Sequence, residues 1–430
     1  MSATDQPPWL WPRAAYIHVP FCAHHCSYCD FAVAANAEHR IELYLEALDI
    51  ELATLGQPQP VETIFIGGGT PTHLGPKQLE RLLTSIQHWF PGARSASKGI
   101  TEPGCHAHGF AWACSSKDMP TQSRGHGAPE SPLEMAREFS IESTPESLTD
   151  EKLALLRAGG VNRLSVGVQS FNDRTLAALD RRHSGAAARE ALGRVRRQFD
   201  NWSLDLIFGV PGQSLADWQS DIETALTFEP PHVSTYGLTY EKGTPLWKER
   251  EHSRVQPLTE DDELAMYQFA LDRLPSAGLL QEEISNHARP GHECRHNHTY
   301  WGNLAYFGFG VGAARYVEGR RELNSRSLET YLRRTLAGES AVIQSEQLTP
   351  FERARETLTL QLRRRIGIDR SAFATQTGHR LDDLAGERIS ALANLGLLRD
   401  DGRTLTLTRT GICVADSVIA DLLVARASSL

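Results

Sequence analysis

Short apolar runs alternate with amphipathic helical patterns from residue 14 to about residue 240. Apolar residues recur at helical spacing over 41–55 and 76–90, and Thr149 before two acidic residues predicts a helix N-terminus. Six βα units in succession predict parallel strands joined by helical crossovers, curled into a partial barrel with its site at the C-terminal strand ends. The predicted strands are 14–19, 61–66, 138–143, 163–169, 203–209 and 232–238.

The composition changes after residue 250 and divides the rest of the chain in two. Residues 251–345 contain aromatic-rich stretches and predict an added α+β region. Residues 346–430 predict a helical unit that closes in a β-hairpin around an Asp-Asp-Gly turn, a pattern that resembles a winged helix. The unit shows no one-sided basic excess, so nucleic acid is not predicted as a partner. The first predicted domain then spans 1–250.

One segment interrupts the alternation of strands and helices. Residues 95–137 are rich in Gly, Ser, Pro and polar residues without periodicity, which predicts a mobile insertion. Cys105, His106, His108 and Cys114 lie within this segment. Their spacing matches no common zinc pattern, so a surface loop is favoured over a zinc site.

Composition narrows the setting in which the chain works. The net charge of −9 among 430 residues gives no electrostatic footprint for nucleic acid. No run of about 18 apolar residues predicts a membrane span, and the polar, Pro-broken start of the chain does not predict a signal peptide. Seven cysteines, an odd number, fit metal or cluster chemistry in a reducing compartment better than a disulfide framework. We therefore expect a cytoplasmic protein without direct membrane insertion.

Three cysteines directly after the first predicted strand form a C-x3-C-x2-C pattern: Cys22, Cys26 and Cys29. Structural zinc takes four ligands and a disulfide takes two, whereas three thiolates on a [4Fe–4S] cluster leave one iron open to a small molecule. A zinc site would need His24 or His25 as its fourth ligand. Both lie inside the segment 22–29 that carries the three cysteines, called here the cysteine loop. Simultaneous ligation by a histidine of this loop is geometrically difficult. The pattern thus favours the cluster.

Polar and glycine residues follow the other predicted strands. Gly67, Gly68 and Gly69 permit close backbone approach to a ligand, Thr70 offers a hydroxyl, and no Gly-Lys-Ser/Thr follows as in a P-loop. Three polar residues interrupt apolar strands and need partners, either internal hydrogen bonds or a cofactor: Glu142, Gln169 and Asp205. Arg181 could bind a carboxylate through two parallel hydrogen bonds or remain solvated at a helix end.

The cysteine pattern, with Tyr28 before its last cysteine, resembles the signature of the radical S-adenosylmethionine (SAM) superfamily. "YIHVPFC", "FIGGGTPT", "SIESTPESL", "RLSVGVQSFND", "LDRRHS" and "LDLIFGVPGQ" occur in the order seen in the oxygen-independent coproporphyrinogen III oxidase-like family. The resemblance implies a partial (βα)6 radical-SAM barrel, with S-adenosylmethionine on the open iron as the source of a 5′-deoxyadenosyl radical. The positions that match S-adenosylmethionine contacts are Tyr16, Tyr28, Gly68, Gly69, Thr70, Glu142, Gln169, Arg181 and Asp205.

Two features separate the branches of that family. The oxidases carry a further cysteine where this chain has Phe31, whereas the HemW-type haem chaperone branch carries an H-N-x-x-Y-W motif. Imidazole is a good axial ligand of haem iron, and aromatic rings pack on a porphyrin face. The motif residues are His296, Asn297, Tyr300 and Trp301.

Other residues near the motif leave the haem ligand open. His298 and Cys294 are rival axial ligands, and a buried His–Asn hydrogen bond in an aromatic core is the structural alternative. Relatives tend to carry aromatic residues where this chain has Glu282 and His287. His287 is then either an additional ligand or a polar surface substitution.

The resemblance implies a haem chaperone that delivers haem to apo-haemoproteins, such as respiratory enzymes at the membrane. A homodimer is one option for its assembly. The first alternative is radical oxidative decarboxylation of coproporphyrinogen propionates, which Phe31 disfavours. A second is a radical S-adenosylmethionine enzyme with another substrate, which the H-N-x-x-Y-W motif disfavours.

Overall fold

The computed structural model describes residues 7–91 and 136–424. The predicted insertion lies outside the described residues apart from its last two, and Cys105, His106, His108 and Cys114 lie outside them as well. The strands are β1 (Ala14–Val19), β2 (Phe21–Cys22), β3 (Ala34–Ala35), β4 (Thr63–Gly68), β5 (Glu138–Ser143), β6 (Arg163–Gln169), β7 (Trp202–Phe208), β8 (His232–Gly237), β9 (Leu280–Gln281), β10 (Asn286–Ala288), β11 (Phe307–Gly310), β12 (Ala314–Val317), β13 (Arg320–Asn324), β14 (Val342–Gln347), β15 (Ile368–Asp369), β16 (Leu398–Asp400) and β17 (Thr404–Leu407).

The helices lie between these strands and after them. They are α1 (Ile41–Ala53), α2 (Pro76–Trp89), α3 (Asp150–Ala158), α4 (Asp173–Ala178), α5 (Gly185–Gln198), α6 (Leu215–Thr227), α7 (Pro245–Glu251), α8 (Glu260–Ser276), α9 (Arg295–Trp301), α10 (Leu328–Leu336), α11 (Pro350–Leu362), α12 (Arg370–Thr377), α13 (Leu381–Asn394), α14 (Arg409–Cys413) and α15 (Ala415–Leu422). The hydroxyl of Thr149 accepts a hydrogen bond from the Lys152 amide, which confirms the predicted start of α3.

All six predicted barrel strands form, and they pair in parallel in chain order. In the described part of the chain the large sheet has the order β11-β1-β4-β5-β6-β7-β8-β10-β9. Five of its pairings join consecutive predicted strands through helical crossovers. The predicted α/β fold with a partial barrel is confirmed, and the carboxyl ends of its strands share one edge.

The sequence did not predict that the region after residue 250 extends this same sheet. β11 pairs in parallel with β1, and β10 pairs antiparallel with β8. These strands are four and three residues long and include glycine or polar residues, so no apolar periodicity marks them. β11 and β10 lie at either flank of the six strands, and α9 connects them in the chain. This helix therefore crosses the barrel, at the end where β4 and β5 begin.

The C-terminal unit has its own core and a small sheet of order β15-β17-β16. The predicted hairpin forms as β16 and β17, with Asp401 accepting from the amides of Arg403 and Thr404 in the turn. The expectation that the chain closes in this hairpin was wrong, because α14 and α15 follow it. Their apolar residues Ile412 and Ile419 are buried in the same core. None of the helices in 7–91 and 136–424 is long and apolar enough to span a bilayer.

Candidate functional site

The barrel encloses one cavity of about 1250 Å³ that begins at the cysteine loop and ends at α9. Single small-molecule pockets measure roughly 300–1,000 Å³, so this volume exceeds what one such ligand needs. The predicted cofactor residues that line the cavity are Tyr16, Cys22, Cys26, Tyr28, Cys29, Gly68, Gly69, Thr70, Glu142, Gln169, Arg181 and Asp205. His296, Asn297 and Tyr300 of the H-N-x-x-Y-W motif line it too. The structure thus brings both predicted residue sets together.

The cysteine loop connects β1 to α1 at the carboxyl edge of the sheet. The Cys22 thiol lies 3.5 Å from Thr70 Oγ1, and Arg181 Nη1 donates to Cys26 Sγ at 3.6 Å. Burial raises the pKa of the three thiols, that of Cys22 to about 12. Thiolates there need strong positive charge beside them, which the irons of a [4Fe–4S] cluster supply. The donor set therefore fits the cluster that the sequence predicts.

Neither histidine of the loop is free to complete a zinc site. His24 Nε2 lies 2.8 Å from Asp180 Oδ2, and His25 Nε2 lies 3.0 Å from the Cys29 carbonyl. Among the described residues, no three His, Cys, Asp or Glu side chains converge on one ion position. In a [4Fe–4S] cubane each thiolate binds a different iron, so the three cysteines need not converge.

Gly68, which ends β4, and Gly69 after it are required by close packing of the protein chain on itself. A Cβ on Gly68, whose φ is +115°, would lie 2.7 Å from the His18 imidazole. A Cβ on Gly69 would lie 2.7 Å from the carbonyl oxygens of Pro20 and Phe21. The glycines thus hold the chain beside the cysteine loop, in addition to exposing their own backbone to the cavity.

Glu142 is a half-buried carboxyl group that faces the cavity. Burial raises its pKa to about 8, the Gly68 amide that donates to Oε2 at 2.8 Å lowers it, and Asp205 raises it. Burial also raises the pKa of Asp205, whose Oδ2 accepts from the Ser165 hydroxyl at 2.9 Å. A cation or hydroxyl donor near Glu142 would stabilise its ionised form, because the described residues supply one donor there, the Gly68 amide.

Arg181 and Gln169 complete the wall at the carboxyl ends of the strands. Arg181 Nη2 donates to the Gly167 carbonyl at 2.9 Å, which fixes the guanidinium beside the cysteine loop. Gln169 has a φ of +65° at a register shift between β6 and β7, which turns its side chain from the sheet into the cavity. A non-glycine residue in the left-handed region is strained and is characteristic of ligand sites.

The H-N-x-x-Y-W motif forms α9 at the opposite end of the cavity. His296 Nδ1 lies 2.9 Å from Thr63 Oγ1, and Nε2 lies 2.8 Å from the Tyr300 hydroxyl. Its ring stacks on Phe65 with centroids 5.2 Å apart. Burial, with Arg163 nearby, lowers the His296 pKa to about 3, so the imidazole is neutral at neutral pH. Trp301 is half-buried and does not line the cavity.

Glu138, the first residue of β5, fixes the start of α9. Its carboxylate accepts from the backbone amides of Arg295 at 2.9 Å and His296 at 3.1 Å. The Cys294 thiol donates to the same carboxylate at 3.7 Å. Four of the side chains that sequence reasoning missed also line the cavity near this end: Arg163, His232, Ser234 and Asn286. Arg163 and His232 begin β6 and β8, and inward alternation along those strands was the signal that could have identified them.

The remaining rival haem ligands lie in different settings. His298 is exposed and Nε2 lies 3.0 Å from Glu282 Oε2, so it points away from the cavity wall. His287 is fully buried on β10, which makes the surface-substitution hypothesis wrong. Neither ring nitrogen of His287 has a hydrogen-bond partner in the described chain, and burial lowers its pKa to about 4. His287 does not line the cavity.

Comparison with known proteins agrees with the fold. A family model described as the radical SAM superfamily matches residues 16–225, and a model described as the HemN C-terminal domain matches residues 348–414. On the solved structure of coproporphyrinogen III oxidase (HemN) from Escherichia coli, the chain superimposes with a TM-score of 0.76 at 22% identity. That match covers 97% of this chain and 91% of the oxidase, and it shows a shared fold.

Curated relatives are more similar in sequence. The heme chaperone HemW of Bacillus subtilis (strain 168) is 34% identical over 416 residues, 96% of this chain and 99% of the relative. The heme chaperone HemW of Escherichia coli (strain K12) is 32% identical over 314 residues, 71% of this chain and 70% of the relative. The resemblance inferred from the motifs is confirmed. The chain belongs to the HemW family of the radical SAM superfamily.

Proposed function

We propose that this protein is a haem chaperone that binds haem beside a [4Fe–4S] cluster and S-adenosylmethionine and delivers the haem to apo-haemoproteins. Relatives at 34% identity are named heme chaperones. The observation that carries the proposal is the shared cavity, since the motif of α9 and the cysteine loop line the same space. The volume of about 1250 Å³ leaves room for a second ligand beside S-adenosylmethionine.

The upper part of the cavity, at the cysteine loop, suits the cluster and S-adenosylmethionine. Cys22, Cys26 and Cys29 would hold the cluster, which supplies the electron for reductive cleavage of S-adenosylmethionine. Arg181 would orient the carboxylate of that molecule, and Glu142 would accept from its ammonium or ribose groups.

The lower part of the cavity, at α9, supplies the His296 imidazole as a ligand for haem iron. His296 Nε2 now contacts the Tyr300 hydroxyl, so iron ligation requires that this contact open. Thr63 contacts Nδ1 and would keep the ring orientation while Nε2 turns to the metal. The neutral imidazole that burial enforces is the form that ligates iron.

The alternative function is radical oxidative decarboxylation of coproporphyrinogen. It uses the same cluster and S-adenosylmethionine residues, which the cavity brings together. Phe31 occupies the position of the oxidase cysteine at the cavity rim, and its side chain is 62% exposed. A phenyl ring offers neither a thiol donor nor a ligand there, so the chaperone is the better-supported function.

We also propose a cellular location, protein partners and an assembly state for the protein. Five cysteines in the described chain are free, which suits the reducing cytoplasm. Apo-haemoproteins, membrane respiratory enzymes among them, would receive the haem. Assembly as a homodimer and the division into units 1–250, 251–345 and 346–430 remain part of the same proposal.

An anaerobic haemin titration of the cluster-loaded protein tests the proposal through the Soret band. We expect saturation near one haem per chain in the wild type and weaker binding, with a shifted Soret maximum, in His296→Ala. His298→Ala is the matched control, because His298 lies on the same helix but outside the cavity. No saturable binding by the wild type, with carbon dioxide release from coproporphyrinogen, would instead support the oxidase.

A further inference from the structure

Arg163 is a buried arginine at the floor of the cavity. It is the first residue of β6 and only 2% exposed, and it lines the cavity together with Ser165 and Gly167 of the same strand face. His296 faces the same floor from α9, and Arg163 lowers its pKa. Arginine is rarely buried to this degree without a paired anion.

The guanidinium of Arg163 has no direct partner in the described chain. Within the described residues, the Arg163 guanidinium forms no hydrogen bond, and its Nε is fully buried without an acceptor. The neighbouring carboxylates of Glu282 and Asp205 pair with His232 and Ser165, and no described carboxylate forms an ion pair with Arg163. A buried guanidinium left unpaired is costly, and here the Nε–H has lost its water and gained no acceptor. The side chain is therefore positioned for an acceptor that enters the cavity.

Nearby acidic residues are committed to other donors. Glu138 accepts from the backbone of α9. Glu282 lies 3.1 Å from His232 Nε2 and 3.0 Å from His298 Nε2, and Asp205 accepts from Ser165. Burial lowers the pKa of Arg163, and the charges of these groups and of Cys294 raise it above its ordinary value. None of them hydrogen-bonds the planar fork of the guanidinium. The fork matches the two oxygens of a carboxylate.

We infer that Arg163 binds a carboxylate of the second ligand at the cavity floor, which on the proposed function is a propionate of haem. The inference rests on that function and adds the group by which the ligand is oriented. A propionate paired with Arg163 would turn the porphyrin so that one edge lies at the floor beside His296. Haem would then be recognised by its charged edge as well as by its iron.

The test compares haemin with haemin dimethyl ester, in which both carboxylates are blocked. Soret titrations of the cluster-loaded wild type are expected to show about tenfold tighter binding of haemin than of the ester. Arg163→Met should weaken haemin binding and remove that preference, and Arg163→Lys should retain part of it because the charge stays and the fork is lost. Arg399→Met, on the exposed face of β16, is the matched control and should keep the preference.

Each other outcome counts against the inference in its own way. Equal binding of haemin and ester by the wild type would overturn it and leave the proposed function intact. A preference that survives in both Arg163 variants would assign the carboxylate to another residue and overturn it as well. If neither ligand saturates the wild type, the proposed function fails and the inference fails with it. The comparison on the wild type stands even where Arg163→Met does not fold.

Discussion

Single residues of the cavity owe their charge state to burial. Glu142 and Asp205 have raised pKa values, whereas His296 has a lowered one, so the wall carries less charge than its sequence suggests. The sequence identified Glu142 and Asp205 because each interrupts an apolar strand. Arg163 escaped notice because an arginine at the start of a strand is usually solvated, whereas here it is only 2% exposed.

Replacing Glu142 with glutamine tests the raised pKa of its carboxyl group. The folded-state pKa of about 8 exceeds the ordinary 4.5, so the stability that this group contributes below about 4.5 is lost as the pH rises through 8. Glutamine keeps an acceptor for the Gly68 amide and does not titrate. Urea unfolding without S-adenosylmethionine should show Glu142→Gln gaining about 4 kcal/mol on the wild type between pH 5 and pH 9.

Glu146→Gln is the control for that experiment. Burial raises the Glu146 pKa, but His183, whose Nδ1 lies 3.3 Å from Glu146 Oε2, the Glu146 backbone amide and the charge of Arg181 together lower it to about 2. Its contribution is present above the ordinary 4.5 and lost as the pH falls through 2, so this variant should be less stable at both pH 5 and pH 9. Identical pH slopes for Glu142→Gln and the wild type would refute the assignment.

His287→Leu tests a buried imidazole without a partner. Its folded-state pKa of about 4 lies below the ordinary 6.5, so its contribution to stability is present above 6.5 and is lost as the pH falls toward 4. Leucine does not titrate. Relative to the wild type, the variant should gain about 2 kcal/mol of unfolding free energy between pH 8 and pH 4.5. An unchanged pH slope in His287→Leu would contradict this assignment.

At the scale of elements, the six barrel strands were predictable because each is a buried apolar run between turn signals. Their bounds differ from the prediction by up to two residues, as in Thr63–Gly68 against 61–66. β9, β10 and β11 were not predictable, since they are two to four residues long and owe their pairing to the completed sheet. The motif in α9 was recognisable, but its place at the barrel floor depends on β10 and β11.

Glu138→Leu should detach the start of α9. The change leaves the buried amides of Arg295 and His296 without acceptors, at a cost of about 3 kcal/mol. Haemin binding should weaken in the same variant, because His296 loses its fixed position. Ser214→Ala removes the cap of α6 at about 1 kcal/mol and should leave haemin binding unchanged. Unaltered haemin affinity in a folded Glu138→Leu chain would show that α9 is not the haem site.

At the scale of the whole molecule, contacts at the end of α9 join the barrel to the C-terminal unit. Gln361 and Gln376 donate to the Gly302 carbonyl at the end of α9 at 3.2 and 2.9 Å. Asn303 donates to Thr357 Oγ1 at 2.9 Å, and Leu271 of α8 is buried in the C-terminal core. The sequence predicted this unit as a separate domain, because contacts between distant segments leave no local pattern. Its position implies a supporting role for α9.

A chain that ends at residue 348 should show that role. We expect a lower melting temperature and haemin binding about tenfold weaker than in a chain that ends at residue 424, since α9 loses its C-terminal partners. The absorption of the cluster should remain, because the cysteine loop lies at the other edge of the sheet. Full haemin affinity in the shorter chain would contradict the supporting role.

Haem transfer to an acceptor protein distinguishes delivery of haem from simple haem storage. The cluster-loaded protein carrying one haem is mixed anaerobically with increasing amounts of an apo-cytochrome of a respiratory enzyme, and the Soret band of the acceptor is followed. Apomyoglobin measures spontaneous haem release. We expect transfer to the cytochrome that becomes faster with acceptor concentration and exceeds release to apomyoglobin. Equal rates with both acceptors, independent of concentration, would contradict a chaperone that delivers its haem.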